Sequence, residues 1–481
     1  MTQGTSGGAV RPGRFMGWLH RLFDSDMFQL RDIVHIFFPL LLDQFFIQFI
    51  SMVSTALVSS IGQEAMAAVN MVGTISYLVT AIFYSIGMGG GVIIAQAKGH
   101  GDKEQLHRAV GQTTTLCFCT ALVTSVVLFI GAEPLVKAIY PRAEPKLTEY
   151  AVEYLHLSTL SMIPYSIFHA IFTAFRSVGD SRSSLVLTVF INVAHLLLSI
   201  LFINVCKLGV AGSGLSYIVA RVFGLVVAIV WLAGRRDDMH LQMKHFTHLS
   251  RDIVLPEVRL AIPFAVEQML FHGGMLFVQR YLSMWGDTPA MATMAIAANA
   301  VANSCFTLAY STLNAVTAIT STVCGQCIGA GKIDLCKRYC RSMVKAGRLV
   351  GLVTAAVMLP LSPLLLKMHN PNPDAVGMIY QMLLVALLPL PLWSDAFVNH
   401  TMLRSAGDAN YTTVISLTGM FFGRMVLGYF LTIVLNMGPL GIWLSQLFEW
   451  LYRIVFMEHR FRSDKWQKYI RQPDEPETAQ G

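Results

Sequence analysis

Charge is scarce in this sequence. Only 13% of its 481 residues are Asp, Glu, Lys or Arg, which is about half the fraction usual in soluble proteins, whereas 54% are hydrophobic. The mean hydropathy is +0.56. These values exclude a globular enzyme with a single membrane anchor, and they predict a chain that crosses a membrane many times.

Two kinds of segment are absent. The sequence has no series of alternating segments of about ten residues, which argues against a membrane β-barrel. Residues 1–31 contain no apolar region followed by a small-residue cleavage site, so we expect no cleaved signal peptide. The first apolar span is then expected to direct membrane insertion itself.

Cofactor motifs are also missing. No nucleotide-binding motif occurs, so we expect ion gradients, either H+ or Na+, to supply the energy for any transport. Cys324 and Cys327, followed by Cys336 and Cys340, have a spacing that suggests zinc. We nevertheless expect no metal site, because the corresponding positions of the other half of the chain hold non-cysteine residues. We likewise expect neither a disulfide framework nor a bound cofactor.

The long apolar stretches are what the sequence does contain. Spanning a bilayer takes about 20 helical residues, and twelve stretches reach that length. The predicted fold is therefore an all-α polytopic membrane protein. The predicted spans are 33–59, 67–97, 109–131, 150–175, 184–205, 210–233, 260–285, 291–327, 343–366, 376–403, 411–435 and 439–459.

Lys and Arg residues predict the orientation of these spans. They are concentrated in the N-terminal segment, in the polar stretch between the sixth and seventh spans, and in other segments on the same side. The positive-inside rule then predicts a multi-pass protein of the inner (plasma) membrane with both termini in the cytoplasm. The predicted domains are an N-terminal cytoplasmic segment (1–32), an N-lobe (33–233), a cytoplasmic linker (234–259), a C-lobe (260–460) and a cytoplasmic tail (461–481).

The two halves carry the same motifs in the same order. Pro39-Leu-Leu-Leu-Asp43-Gln44 corresponds to Pro263-Phe-Ala-Val-Glu267-Gln268, and further matches begin at 96 and 326, at 176 and 404, and at 208 and 437. Each half has an even number of spans, so both insert in the same direction. The pattern predicts two six-helix lobes related by a pseudo-two-fold axis along the membrane normal, as in transporters that rock two halves around a central site.

These repeated motifs resemble those of the multidrug and toxic compound extrusion (MATE) transporters. The likeness rests on the Gln-x-x-Gly-x-Gly stretches from Gln96 and Gln326, on the Arg-Ser-x-Gly-Asp loops from Arg176 and Arg404, and on the glycine-rich stretch from Leu208. It covers about residues 33–460. It implies a monomeric antiporter with a V-shaped pair of lobes, which exports organic and often cationic compounds in exchange for protons or sodium ions.

The sequence departs from the family pattern in its N-lobe. The family's Val-Asp-Thr triplet in helix 1 is here Val53, Ser54 and Thr55, and the positions of its Asn-x-x-x-Asp pair in helix 5 hold His195 and Ser199. Asp43 precedes Ser54 by eleven residues, or three helical turns, so it faces the same side about 16 Å away. We therefore expect Asp43 to replace the missing N-lobe acid.

Buried ionisable residues in spans are candidate functional groups. Our candidates for ion or substrate binding are Asp43, Glu267, Asp395, Gln44, Gln268, Ser54, Asn192 and His195. The alternatives are structural. Asp43 and Glu267 are carboxylates that also suit helix packing, and Asp395 suits pairing with a buried arginine such as Arg424. We expect Glu449 to pair with Arg453 one turn later.

The leading functional hypothesis is secondary active efflux of organic, cationic compounds by alternating access, coupled to H+ in preference to Na+. The partners expected are small-molecule substrates and membrane lipids, but not nucleic acid. The alternative within transport is a flippase for a lipid-linked or amphipathic substrate, which a basic cavity would favour. An integral membrane enzyme is the alternative of another class, but the sequence has no cluster of catalytic residues.

Overall fold

A computed structural model describes residues 14–59, 63–139, 145–234, 242–369 and 371–470. These ranges are almost entirely helical and contain no strand. The α-helices in chain order are α1 (Arg14–Phe23), α2 (Leu30–Ser59), α3 (Gln63–His100), α4 (Lys103–Ile130), α5 (Ala132–Ile139), α6 (Pro145–Ser177), α7 (Ser181–Ser199), α8 (Gly209–Gly234), α9 (Met243–Thr247), α10 (Arg251–Met284), α11 (Pro289–Gly329), α12 (Ile333–His369), α13 (Val376–Leu387), α14 (Leu390–Ser405), α15 (Ala409–Thr418), α16 (Leu427–Tyr429) and α17 (Pro439–Arg462).

Every predicted span corresponds to one long helix or to one interrupted helix. By length and composition, ten helices in the described ranges are able to cross a membrane, or eleven when the bent pair α13 and α14 counts as one span. The remaining predicted span is α17, which carries Glu449, Arg453 and further charged residues. A membrane-spanning segment must satisfy all its backbone hydrogen bonds within the apolar layer, so it forms a helix. The number of long apolar stretches in the sequence therefore predicts the number of spans.

The tenth span is bent where prolines interrupt it. The segments Pro373–Leu387 and Leu390–Ser405 meet at an angle of 47°. Pro389 is the N-terminal cap of α14, and Pro391 lies in its first turn. Proline has no N–H to donate and its ring clashes with the preceding turn, so the bend at these residues has a direct cause.

The fifth and eleventh spans change from α-helical to π-helical geometry near their ends. The π segments are Ile200–Val205 after α7, and Gly419–Val426 and Phe430–Val434 on either side of α16. A π segment adds one residue to a turn and is uncommon outside functional regions. The segments Ile200–Val205 and Phe430–Val434 lie at matching places of the two halves, whereas the part of α7 that corresponds to Gly419–Val426 is α-helical.

The loops of the two halves have matching backbone conformations. Gly179 and Gly407, in the two Arg-Ser-x-Gly-Asp loops, have φ angles of +92° and +95°. Lys207 and Asn436, which precede α8 and α17, have φ angles of +55° and +52° although neither is glycine. Positive φ is sparsely populated by L-residues, so its occurrence at both members of each pair identifies one loop structure used twice.

The two halves meet along α2, α3, α10 and α11. Helix α3 packs against α10 and α11, and α2 packs against α11. At the loop end, the side chain of Gln96 donates a hydrogen bond to the carbonyl of Ser405 (2.8 Å), and that of Gln326 donates to the carbonyl of Ser177 (3.0 Å). The halves are therefore closed against each other at the end that we predict to be cytoplasmic.

Segments outside the spans are also packed. The hydroxyl of Tyr339 on α12 donates to the carbonyl of Phe23 (3.0 Å), and that of Ser342 donates to the carbonyl of Leu22 (2.9 Å), which fixes α1 to the C-terminal half. Trp466 is fully buried after α17. Helix α10 begins at Arg251, inside the predicted linker, whereas 1–13, 235–241 and 471–481 lie outside the described residues.

Candidate functional site

A cavity of about 240 Å³ lies in the N-terminal half. It is enclosed by α2, α6, α7 and α8, with Tyr84 of α3 also on its wall. Four of the eight predicted residues line it, namely Asp43, Gln44, Asn192 and His195. The sequence brings them together because α2 packs against α7, while α6 and α7 both pack against α8.

Asp43 is the acidic residue of this cavity. Its side chain is fully buried, and neither carboxylate oxygen has a hydrogen-bond partner among the described residues. Thr188 and Gln44 line the same wall. A carboxylate removed from water costs several kcal/mol unless a cation or hydrogen-bond donors compensate it. This position is therefore suited to take up a proton or a cation.

One face of α7 contributes polar groups, as its spacing predicts. His195 packs its ring against that of Tyr217, with 4.1 Å between the ring centroids, and both residues line the cavity. The amide of Asn192 donates to the carbonyl of Thr188 (2.8 Å). Ser199, one turn beyond His195, donates instead to Ser216 on α8 (2.9 Å) and is not on the cavity wall.

Ser54 is not part of this cavity. It is half-buried on α2, and the lining of the cavity along that helix comes from Asp43, Gln44 and Ile47. Asp43 and Ser54 share a side of α2 by periodicity but are three turns apart. The structure thus does not bring these two predicted residues into one site.

Two arginines on the cavity wall are the main residues that the sequence prediction missed. They are Arg176, in the last turn of α6, and Arg221, near the middle of α8. Arg221 stacks over the rings of Tyr165 (4.3 Å to the centroid) and Tyr217 (5.0 Å). A signal was present, because an arginine in the middle of a 26-residue apolar helix is itself a functional candidate.

Glu267 lies in a different environment in the C-terminal half. Its carboxylate is buried and forms an ion pair with Arg404. The imidazole of His400 lies 3.6 Å from the other oxygen, and the hydroxyl of Thr413 is 3.5 Å from the carboxylate. Glu267 is therefore already compensated by a guanidinium, whereas its repeat counterpart Asp43 is not.

The network around Glu267 extends through two further arginines. Arg453 lies 3.8 Å from Glu267 and 2.8 Å from Glu449, and Arg424 forms a second ion pair with Glu449. The predicted pairing of Glu449 with Arg453 is confirmed, and both residues are buried. Together these contacts link α10, α14 and α17 through charges that compensate one another.

Asp395 and Gln268 lie outside that network. Asp395 accepts from Nε of Arg348 on α12 (2.9 Å) and forms an ion pair with the same guanidinium. The sequence prediction gave Arg424 as an example of an arginine that Asp395 could pair with, but Arg424 pairs with Glu449. Gln268 is half-buried on α10. Its neighbour Glu267 is the residue that faces the buried arginines.

Glu257 is a second buried acid that the sequence prediction missed. It is fully buried near the start of α10, and one of its oxygens accepts from the hydroxyl of Thr113 on α4 (3.0 Å). Within the described ranges its other oxygen has no hydrogen-bond partner. This contact crosses between the two halves. The sequence prediction assigned residue 257 to the linker, which concealed it.

A cluster of Glu104, His107 and His245 joins α4 to α9. The ring of His245 is buried, and its Nδ1 accepts from the backbone N–H of Gln242 (3.0 Å). The carboxylate of Glu104 already lies 3.3 Å from the ammonium of Lys244. Burial also lowers the pKa of His245 from 6.5. The cluster is better suited to holding α9 against α4 than to binding a metal ion, because the ammonium group of Lys244 already pairs with the carboxylate of Glu104.

Comparison with known proteins identifies both halves. A family model described as MatE matches residues 39–201 and 263–430. The chain is 24% identical over 434 residues to the uncharacterized transporter YisQ of Bacillus subtilis, covering 89% of this chain and 93% of that one. It is 21% identical over 433 residues to the probable multidrug resistance protein NorM of Thermotoga maritima, covering 87% and 89%.

A solved structure has the same fold. It is described as the outward-facing conformation of a multidrug resistance MATE family transporter of the MOP superfamily. The TM-score is 0.81 at 17% sequence identity, over 91% of this chain and 96% of that chain. The likeness covers both six-helix halves, so the predicted twelve-helix, two-lobe fold is confirmed.

Proposed function

Because the chain belongs to the MATE family of multidrug efflux transporters, we propose that it exports organic compounds by cation-coupled antiport with alternating access. Members of this family are transporters and not enzymes. The energy source we propose is an ion gradient, with H+ preferred over Na+. The substrates are small molecules.

The observation that carries this proposal is the position of Asp43. It is a fully buried carboxylate on a cavity wall, and in the described part of the chain no cationic side chain lies within 4.0 Å of it. The charged form is then costly, and binding of a proton or a cation removes that cost. Release of the ion on the opposite side of the membrane would return the site to its starting state.

Three acids of the C-terminal half are less suited to this role because each already has a guanidinium partner, and Glu257, which has none among the described residues, does not line the cavity. Glu267 pairs with Arg404, Glu449 with Arg424 and Arg453, and Asp395 with Arg348. Adding a proton to Glu267 or Glu449 would leave a buried guanidinium unpaired, which is expensive, whereas Asp395 is paired with the exposed guanidinium of Arg348. We therefore assign coupling to Asp43 and assign to Glu267 the role of holding α10 to α14.

Alternating access follows from the arrangement of the halves. The interface of α2 and α3 with α10 and α11 closes one end of the molecule, and the hydrogen bonds of Gln96 and Gln326 lie at that end. Breaking these contacts and rocking the two halves would open the cavity to the other side. In this proposal both termini are cytoplasmic, the protein lies in the plasma membrane, and the monomer is the transporting unit.

A direct test measures exchange in proteoliposomes. Substrate-loaded vesicles containing the purified protein are given either an H+ gradient or a Na+ gradient. We expect efflux under the H+ gradient, and we expect Asp43→Asn to abolish the response. The matched control is Asp287→Asn, since Asp287 is an exposed acid on a loop. Efflux that responds to Na+ alone would overturn the choice of ion, and undiminished efflux in Asp43→Asn would overturn the role of Asp43.

A flippase for a lipid-linked or amphipathic substrate is the second candidate, and a specific observation favours it. The N-terminal cavity carries two arginines beside its one acid. Translocation of a fluorescent phospholipid between leaflets of the same vesicles distinguishes the candidates. Lipid translocation without efflux of soluble compounds would show that the protein is a flippase and would contradict the proposed efflux function.

A further inference from the structure

The charge lining the N-terminal cavity does not match a cationic cargo. Of the three charged residues on its wall, Asp43 is negative, whereas Arg176 and Arg221 are positive. A guanidinium stays protonated in proteins, so the cavity has a net positive charge whichever form Asp43 adopts. An organic cation entering it would face two like charges and one opposite charge.

Arg221 is held in place by aromatic rings and not by an acid. Its guanidinium stacks on Tyr165 and Tyr217, and Nη1 donates to the hydroxyl of Ser161 (2.6 Å). In the ranges that the structure describes, no carboxylate lies within ion-pair distance of it. A guanidinium has five N–H donors in a planar fork. Arg221 is thus oriented in the membrane interior with donors to spare.

Arg176 likewise has no carboxylate within ion-pair distance among the described residues. Comparison with its counterpart in the other half shows the difference. Its counterpart in the C-terminal half is Arg404, and the counterpart of Asp43 is Glu267. Glu267 and Arg404 form an ion pair, but Asp43 and Arg176 do not come within 4.0 Å of each other. Where the C-terminal half has a closed ion pair, the N-terminal half has two separated charges on the wall of a cavity.

The buried arginines of the C-terminal half show the same contrast with Arg176 and Arg221. Arg404, Arg424 and Arg453 each lie within ion-pair distance of a carboxylate. Arg176 and Arg221 have none. Arg221 lies near the middle of its span, where unpaired charge is costly and is usually retained for function. An anion that enters the cavity would supply the missing partner.

The rest of the cavity defines the body of such a ligand. Five aromatic side chains line it, namely Tyr84, Tyr165, Phe168, Phe172 and Tyr217. Its volume of about 240 Å³ is small for a ligand pocket, which usually exceeds about 300 Å³. One small ring system with one acidic group fits these dimensions.

We propose that the N-terminal cavity binds the anionic group of an amphipathic compound, with Arg221 as the ligand of that group and Arg176 as a second positive charge on the same cavity wall. Guanidinium groups bind carboxylate, sulfonate and phosphate through paired N–H donors. The compound is either a soluble organic acid or a lipid whose headgroup phosphate enters the cavity. This cavity is also the proposed path of export, so the cargo class named here rests on the proposed function.

An anionic cargo also changes what drives export. The cell interior is negative, so an anion leaves with the membrane potential, which contributes to its export without a bound counter-ion. Asp43 then disfavours the cargo by repulsion, whereas for a cationic cargo Asp43 would be the attractive group. The Asp43→Asn substitution therefore has opposite effects on the binding of the two cargo classes.

Binding to the full chain in phosphatidylcholine nanodiscs tests the proposal. Three probes share one ring system and differ in charge: 2-naphthoate, neutral 2-naphthamide and trimethyl(2-naphthyl)ammonium. We expect 2-naphthoate to bind at least about tenfold more tightly than the other two, since hydrogen bonds to charged groups are worth that much or more. Tighter binding of the ammonium probe would overturn the proposal.

Variants assign the binding to the two arginines. Arg221→Gln is expected to weaken 2-naphthoate binding at least about tenfold, Arg176→Gln is expected to weaken it by a smaller factor, and Asp43→Asn is expected to strengthen it. Arg280→Gln is the matched control, because Arg280 is an exposed arginine of a membrane span. Arg221→Lys keeps the charge but loses the planar fork, and it is used if Arg221→Gln does not fold. Unchanged 2-naphthoate binding in the folded Arg176 and Arg221 variants would overturn the proposal.

Two further measurements separate the outcomes. Competition by short-chain dihexanoylphosphatidate but not by benzoate would identify a lipid headgroup as the anion, and the reverse would identify a soluble acid; either supports anion binding. Ion-driven efflux of the ammonium probe that is lost in Asp43→Asn would leave the proposed antiport intact while refuting an anionic cargo. Absence of transport of all three probes under any gradient would refute the proposed function, whatever the binding results.

Discussion

Gln96 and Gln326 hold the two halves together by the same interaction made in both directions. Each lies at the equivalent position of its half, and each donates its side-chain amide to a carbonyl of the other half, Gln96 to Ser405 and Gln326 to Ser177. The acceptors belong to the Arg-Ser-x-Gly-Asp loops. Two motifs that the sequence repeats are therefore one reciprocal contact in space, made twice across the pseudo-two-fold axis.

Removing either glutamine amide should loosen this end of the interface. Gln96→Leu and Gln326→Leu each lose one hydrogen bond, worth about 0.5–1.5 kcal/mol, so the closed arrangement is expected to open several times more often. Hydrogen–deuterium exchange of the amides around residues 96–102 and 326–332 measures this. Gln279→Leu is the control, because Gln279 is exposed on α10. Equal exchange in all variants and the wild type would contradict the role of these two residues.

Glycines beside these glutamines should not accept a side chain. A Cβ at Gly99 would overlap the carbonyl oxygen of Gln326, and one at Gly329 would overlap that of Gln96. We expect Gly99→Ala and Gly329→Ala to force the halves apart, lowering the thermal stability of the closed form and reducing transport. Gly273→Ala is the matched control, since nothing lies within 4 Å of that position, and replacing a helical glycine there should stabilise by about 0.5–1 kcal/mol.

The ion pair of Glu267 with Arg404 predicts a non-additive pair of substitutions. Glu267→Gln leaves the buried Arg404 without a carboxylate, at a cost of about 3–5 kcal/mol, and Arg404→Gln leaves Glu267 with only the more distant guanidinium of Arg453, 3.8 Å away. The double variant removes both charges and is expected to be more stable than either single variant. Thermal unfolding in detergent measures the effect. If Glu267→Gln is as stable as wild type yet inactive in transport, then Glu267 has a coupling role and the assignment to Asp43 needs revision.

The contact between Glu257 and Thr113 predicts unequal effects of two small changes. Thr113→Val removes the hydrogen bond and leaves a buried carboxylate without a donor, which is expected to cost about 1–3 kcal/mol. Glu257→Gln keeps an acceptor for Thr113 and removes the charge, so it is expected to be neutral or stabilising. Unfolding temperatures of both variants check this. Greater destabilisation by Glu257→Gln would indicate a cationic partner for Glu257.

His245 predicts a pH dependence outside the membrane spans. Burial lowers its pKa from the ordinary 6.5, although Glu104 acts in the opposite direction. The folded state therefore binds fewer protons than the unfolded state, so its stability is complete above pH 6.5 and declines as the pH falls below that value. Exchange of the amides of α9, taken relative to the intrinsic exchange rate at each pH, should rise as the pH falls from 7.5 to 5.5. The rise should be smaller in His245→Gln.

Sequence reasoning named Asp43, Gln44, Asn192 and His195 as candidates, and the structure places all four on the wall of one cavity. Helical periodicity and the internal repeat indicate which positions share a side of a helix. It did not distinguish Asp43 from Glu267, which occupy equivalent positions. Only packing reveals that Arg404 reaches Glu267 while Arg176 remains apart from Asp43. Glu257 was missed because its part of α10 reads as a polar linker.

The sequence by itself determined the membrane fold. Three features of the sequence predict it: the length of the apolar stretches, the distribution of Lys and Arg, and the duplicated motifs. Each can be read from a stretch of the chain without knowing which other stretches it contacts. The tertiary structure decided which charges are compensated. Whether a guanidinium meets a carboxylate depends on a few ångströms between side chains of different helices, and neither periodicity nor composition specifies that distance. That distance separates the closed pair Glu267 and Arg404 from the open cavity of Asp43, Arg176 and Arg221.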